Sequence, residues 1–293
     1  MAVRVHNFAG IEWYDHEKDQ LNKKIEWCFK HKVGPGKLPQ DPEIPKKINS
    51  LLGIVSPHAG YSCSGPHASH GYLEISQHKN IHSVVVLGTN HTGMGSPTSL
   101  FPKGEWQTPL GSIEIDDELH DQFSQGIKDS KNDIGFAIET DAHIEEHSID
   151  NQLPFLQYSI QNEFKLLPIV MWDHSLKTCQ IIANTLSEIK KTNGDKVLIV
   201  ASSDFTHYLS PSEAQRRDQQ VLLNLIDFDL ETAVRTQKSL KASICGFGPI
   251  VTLFAVGKQI NMTKCEVLAY GHSGQTCGDN SRVVAYTSLI VGK

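Results

Sequence analysis

Short runs rich in Val, Ile and Leu recur along the chain, separated by longer amphipathic stretches. The runs are Leu51–Ser56, Ser83–Leu87, Phe164–Val170, Val197–Ala201, Glu266–Ala269 and Val283–Ile290. They are apolar at consecutive positions, as central strands covered on both faces by helices are. The stretches between them predict helices over about 17–31, Pro66–Ser76, Asp116–Phe123, Ile149–Ile160, Leu176–Lys190, Ser212–Leu225 and Pro249–Lys258. Ser212 with the acidic Glu213, just after Pro211, marks one helix start. Strand alternating with helix predicts an α/β sandwich with a mixed, mostly parallel sheet between helical layers.

One stretch breaks the alternation. Gly34 to Lys47 carries Gly34, Pro35, Gly36, Pro39, Pro42 and Pro45. Proline at this density blocks helix and interior strand, so the stretch reads as a loop joining the first helix to the first strand. The residues before it are too few to build their own core. Residues 1–293 therefore read as a single domain with this loop inside it.

Composition narrows the class. Hydrophobic residues are 39% and charged residues 20%, which excludes disordered and fibrous chains. Lys and Arg total 27 against 33 Asp and Glu, a formal charge of −6 with no basic run, which argues against nucleic acid as the main partner. No apolar stretch reaches the ~18 residues of a membrane span. Met1 to His6 has no apolar h-region, so no signal peptide is expected. Six cysteines at 28, 63, 179, 245, 265 and 277 form no CxxC pair. A chain this large does not need disulfide stapling, so a reducing, cytoplasmic setting is expected.

Histidine changes the picture, with 15 in 293 residues. It is the commonest metal ligand and the near-neutral acid and base. In open α/β sheets ligands bind beyond the carboxyl ends of strands. Four apolar runs lead there into a small residue and then a histidine: Ser56-Pro57-His58, Gly88-Thr89-Asn90-His91, Ser202-Ser203-Asp204-Phe205-Thr206-His207 and Gly271-His272. Two more polar segments stand where helices start. One is Glu139 to Ser148, with His143 and His147 among Glu139, Asp141, Glu145 and Glu146; the other is Ile244-Cys245-Gly246. A helix N-terminus favours a thiolate and lowers its pKa.

Each segment alone has a plainer reading: strand caps for His58 and His91, an N-cap pair for Asp204 and His207, a solvated loop for Glu139–His147, a small buried hydrophobe for Cys245. Repetition at several strand ends weighs against all of them together. His6, His16, His31, His78, His82, His120 and His174 lack companions and read as surface residues. His67 and His70, one turn apart, read as a helix face. GxGxxG, GxxxxGK[ST], GxSxG and HExxH are all absent, which removes support for nucleotide binding, an α/β-hydrolase elbow and a zincin.

These segments resemble the Memo family, named after the mediator of ErbB-driven cell motility. Pro57-His58-Ala59-Gly60-Tyr61 is similar to its PHAGY, Leu87-Gly88-Thr89-Asn90-His91 to LGxxH, and Glu146-His147-Ser148-Ile149-Asp150-Asn151-Gln152-Leu153-Pro154-Phe155 to EHSxExQLPF. Ser202 to His207 resembles SSDFxH, Ile244-Cys245-Gly246 resembles ICG, and Trp13-Tyr14 resembles an early WY. The motifs stand in the family's order from Trp13 to Cys245. The chain departs at Phe8 before Ala9-Gly10, where relatives often have His, and at Asp150, where the run usually has Glu.

The resemblance implies a fold like the class III extradiol dioxygenases, a three-layer α/β/α sandwich. It implies a metal held by His58, His91 and Cys245, with Asp204, His207 and His147 as nearby acid/base or orienting groups. Iron (Fe2+) or copper is the implied cofactor, and zinc also suits two imidazoles and a thiolate. The expectation is a metal-dependent, dioxygenase-like oxidoreductase acting on an unknown small molecule or peptide, with no membrane partner. The alternative is a non-catalytic binding module or metal-handling protein using the same cleft. A true aromatic-ring extradiol dioxygenase fits less well, because the carboxylate ligand is missing.

Overall fold

The structure, a computed structural model, describes residues 1–6, 8, 10, 13–41 and 44–293; Ala9 and Pro42 lie outside the described residues. In chain order the elements are β1 (Ala2–Arg4), α1 (Lys18–Lys30), β2 (Leu51–Ser56), α2 (Gly65–Ile75), β3 (Ser83–Thr89), β4 (Thr98–Leu100), β5 (Gly104–Thr108), β6 (Gly111–Glu114), α3 (Asp117–Asp129), β7 (Phe136–Ile138) and α4 (Asp141–Ile144). Then follow α5 (Leu153–Ser159), β8 (Lys165–Met171), α6 (Leu176–Asn193), β9 (Val197–Ser202), β10 (His207–Leu209), α7 (Pro211–Ile226), α8 (Leu230–Leu240), α9 (Phe247–Gln259), β11 (Lys264–His272) and β12 (Val283–Gly292).

The main sheet runs β11-β12-β2-β9-β3-β8-β4-β7, with β10 paired to the start of β12. Its centre, β2-β9-β3-β8, is parallel. β12 and β4 flank that centre antiparallel. A second sheet, β1-β5-β6, ties the N-terminus to the middle of the chain.

Successive Cβ atoms of a strand point to opposite faces, and the apolar runs therefore supply two cores. Leu52, Val85, Leu87, Leu167 and Ile199 face one core with Phe123, Ile182, Val221 and Phe254, from α3, α6, α7 and α9. Ile54, Val84, Val86, Leu198 and Val200 face the other, with Leu21, Phe29, Tyr72 and Phe155, from α1, α2 and α5. A fully buried Val, Leu or Ile contributes about 1.5–3 kcal/mol. Stripping either helical layer would cost more than a domain's usual net stability of ~5–15 kcal/mol. The expected three-layer α/β/α architecture is the observed one.

The predicted strands appear within a few residues of their expected bounds. The predicted helix at Ile149–Ile160 is instead a 3-10 turn, Asp150–Gln152, followed by α5. The side chains of Asp150, Asn151 and Gln152 are taken up by buried long-range hydrogen bonds. The helix predicted over Asp116–Phe123 starts one residue later, with Asp116 as its cap (Leu119 N–H to Oδ1, 3.0 Å), and runs on to Asp129. α8 has no counterpart among the predicted helices. Nor do β1, β4, β5, β6, β7 and β10, which are too short to show a period.

Two expectations are corrected. Cys63 and Cys277 form a disulfide across 214 positions, so the absence of pairing no longer supports a reducing setting. Of the histidines expected on the surface, only His16 and His82 are well exposed; His120 is buried, and His6, His31, His78 and His174 are half-buried. Among the described residues no helix is long and apolar enough to cross a membrane.

Candidate metal centre

β2, β9 and β3 are parallel neighbours, so their carboxyl ends share one rim. His58, Asp204 and His91 each stand two residues beyond one of these strands. His147 reaches the same rim from the turn after α4, and does not start a helix as expected. That turn lies against β3 because position 88 is glycine: a Cβ there would meet Ser148 Oγ at 2.6 Å and Ile149 Cγ1 at 2.7 Å. The ring nitrogens that His58, His91 and His147 offer all lie within 4.8 Å of one another. The His91 and His147 rings stack at 4.5 Å, and each stands edge-on to His58.

Hydrogen bonding decides which nitrogens face inward. Tyr72 O–H donates to Gln152 Oε1, which leaves Gln152 Nε2–H to donate to Ser202 Oγ at 2.8 Å. Ser202 O–H in turn donates to the Ser148 carbonyl at 2.5 Å. Its hydrogen is thus used, and His58 Nδ1, 2.9 Å from Ser202 Oγ, must be the donor there. The lone pair of His58 therefore sits on Nε2. At His91, Nδ1–H donates to Glu146 Oε1 at 2.9 Å, again freeing Nε2. Partners on the far nitrogen that hold a metal-binding tautomer are a usual companion of metal-ligating histidines.

Cys245 lies beside this group, its Sγ 3.2 Å from His58 Nε2. Position 246 must be glycine for the chain to pass so close, since a Cβ would lie 2.1 Å from the Ser202 carbonyl oxygen. Burial, then the Asp204 charge, pushes the thiol up, against the lowering expected from the start of α9. A neutral thiol there has its proton within reach of the His58 lone pair and of the Asp204 carbonyl at 3.6 Å. Donors near 2.0–2.3 Å from one ion in a tetrahedral site stand roughly 3.5 Å apart. A cation in place of that proton would find both donors nearly in position. The residues fit a metal ion by this test.

Burial, then the neighbouring His91 and His147, hold His58 well below the usual imidazole pKa. Burial brings His147 down to about 4, against the pull of Glu146. Burial raises the Glu146 carboxyl, but the His91 hydrogen bond, the two neighbouring histidines and the His91 N–H (2.6 Å) outweigh it and hold it low. Burial raises Asp204, opposed by His207 and by the His58 N–H at 2.8 Å. His207 donates Nδ1–H to the Ser243 carbonyl at 2.8 Å, which leaves Nε2 with its lone pair.

The fourth strand-end histidine does not join. His272 ends β11, separated from β2 by β12, and its N–H bonds Gln275. His67 and His70 sit on α2, bonded to Gln275 and the Val33 carbonyl. The Glu139–Ser148 segment is no solvated loop, because His143, Glu146 and Ser148 are buried. The strand-end pattern missed the supporting groups Ser202, Gln152 and Glu146. It also missed Trp13, whose ring lies 4.1 Å from His147. Their sequence signals were the polar run around His147, the Ser202 to His207 segment and the early Trp13-Tyr14 pair.

Comparison with known proteins places the chain in a family. Residues 4–290 match the family model described as Memo-like protein. A MEMO1 family protein of Sulfurisphaera tokodaii is 38% identical over 99% of both chains. Others from Methanopyrus kandleri (36%, 95% of both chains) and Desulfurococcus amylolyticus (37%, 99% of both) are similarly close. With a model match and relatives that both run nearly end to end, the chain belongs to the Memo family.

Proposed function

We propose that the chain is a single-domain, metal-dependent oxidoreductase whose centre is formed by His58 and His91 with Cys245, His147 or both. The observation that carries this reading is the convergence of the three imidazoles within 4.8 Å, with Cys245 Sγ in contact with one of them. Imidazole and thiolate donors suit iron or copper, and also zinc. A redox-active ion held by these residues would supply electron transfer to a small-molecule or peptide substrate. Ser202 and Glu146 hold the two ligand tautomers. His207 takes a proton at Nε2, and Asp204 holds the His58 backbone and offsets positive charge.

A second reading, metal handling or binding without catalysis, draws on the position of His91 at the exposed edge of the centre, its side chain 33% accessible. An ion could enter and leave on that side. Anaerobic loading with Fe2+ or Cu+, elemental analysis and O2 uptake separate the two, run on wild type, Cys245→Ala and His147→Ala. One metal per chain with metal-dependent O2 consumption supports the oxidoreductase. Metal without O2 chemistry supports handling. Wild-type affinity in one of the variants removes that residue from the ligand set.

A further inference from the structure

We propose that Arg4 is a positioning residue for the centre: its guanidinium holds the turn that carries Glu146 and His147. The inference rests on the metal-centre reading for its consequence, while the clamp itself is geometric.

Arg4 ends β1 and is 2% exposed. Its Nε–H donates to the His143 carbonyl and an NH2 hydrogen to the Glu146 carbonyl, both at 3.3 Å. The other terminal nitrogen donates to the Val5 carbonyl and to Asp150 Oδ1, the latter at 3.2 Å. Asp150 also accepts from Trp106 Nε1 at 2.7 Å and from the Tyr14 hydroxyl. The guanidinium carbon lies 4.9 Å from the Trp106 ring and 5.1 Å from Phe8.

α4 has only four residues, and the His143 carbonyl accepts the Glu146 N–H at 3.4 Å where the chain turns out of it. Arg4 supplies donors to the chain as it leaves that helix. One of the carbonyls it grips belongs to Glu146, whose side chain orients His91 and whose successor is His147. A lysine could balance Asp150 but could not span these separate carbonyls, because only the planar fork offers five fixed donors. A buried ion pair is often no more stabilising than packed apolar residues. Stability alone therefore does not account for an arginine at this place.

The test uses full-length Arg4→Lys and the charge-neutral Arg4→Met/Asp150→Asn. In metal-free protein, imidazole 1H–15N correlations report the His91 tautomer; Co2+ titration reports affinity and ligand field. Wild type is expected to show His91 with its proton on Nδ1. Both variants are expected to keep the wild-type circular dichroism, show averaged His91 tautomers and bind Co2+ about tenfold or more weakly. Unchanged His91 signals and Co2+ affinity in the folded variants would overturn the proposal. Loss of the fold in both would also overturn it, assigning Arg4 a structural role. If wild type binds no Co2+, the metal-centre reading fails, and the His91 tautomer still decides the clamp.

Discussion

Glu146 holds His91 twice: one carboxylate oxygen accepts the ring Nδ1–H at 2.9 Å and the other accepts the backbone N–H at 2.6 Å. A single buried side chain thus sets both the tautomer of His91 and the path of the chain leaving β3. The Ser148 N–H donates to the same carboxylate at 2.8 Å, which links the β3 end to the His147 turn.

Glu146→Gln should fold but leave the His91 tautomer undetermined, because an amide both donates and accepts. Metal affinity should fall about 10–100-fold, the usual cost of losing a group behind a ligand. Competitive titration against a chelator measures it. Wild-type affinity in this variant would count against the orienting role.

Ser202→Ala removes one hydroxyl that serves three partners: Gln152, the Ser148 carbonyl and His58. Each buried group left without a partner costs about 1–3 kcal/mol. Urea unfolding should show a loss of about 2 kcal/mol or more, and metal binding should weaken with it. A loss under 0.5 kcal/mol would mean that water replaces the hydroxyl.

The Cys63–Cys277 disulfide joins the loop after His58 to the loop before β12. Constraining so long a segment stabilises by roughly 2–5 kcal/mol. Cys277→Ser should lower the urea midpoint accordingly. Thiol titration in denaturant should count four groups, Cys28, Cys179, Cys245 and Cys265, before reductant and six after. Six without reductant would show that the pair is open.

Stability should fall as pH drops below neutral. Burial, the larger effect, brings His67 down to about 4 despite its Gln275 hydrogen bond, and brings His143 down to about 3 despite the Glu139 charge. Both titrate near 6.5 when unfolded, so between these limits the unfolded chain binds more protons. Their stabilisation is complete above pH 6.5 and decreases by about 1.4 kcal/mol per unit for each group below it. Asp218, pushed up to about 6 by burial, opposes this between 3.8 and 6, as do the buried Asp150 and Asp204, while His58 and His147, also lowered by burial, add to the loss. Melting temperatures should drop from pH 7 to 5, and His67→Gln should flatten the drop.

Much of the arrangement was legible along the chain because its signals are local. A run such as Val84 to Leu87 must be covered on both faces, and a polar segment directly after a central strand has to emerge at the rim. His58, His91 and Asp204 could be picked out on that basis. His272 carried the same local pattern and was misleading, since nothing near it reveals that β11 lies beyond β12, away from the other three ends. His147 looked like the start of a helix; its place beside His58 and His91 follows from Gly88 admitting the Ser148 and Ile149 side chains, a contact across some sixty positions.

The sequence by itself determined the alternation of strands and helices, the two-faced core, the strand-end histidines and the family resemblance. All of these follow from residue type and spacing within a few turns of chain. Only the tertiary structure decided the order β2-β9-β3, the Cys63–Cys277 pair, the tautomers of His58 and His91, and the burial of Cys245 against His58. Those depend on hydrogen-bond partners and burial contributed by distant segments, and proton positions respond to the packed surroundings rather than to neighbours in the chain.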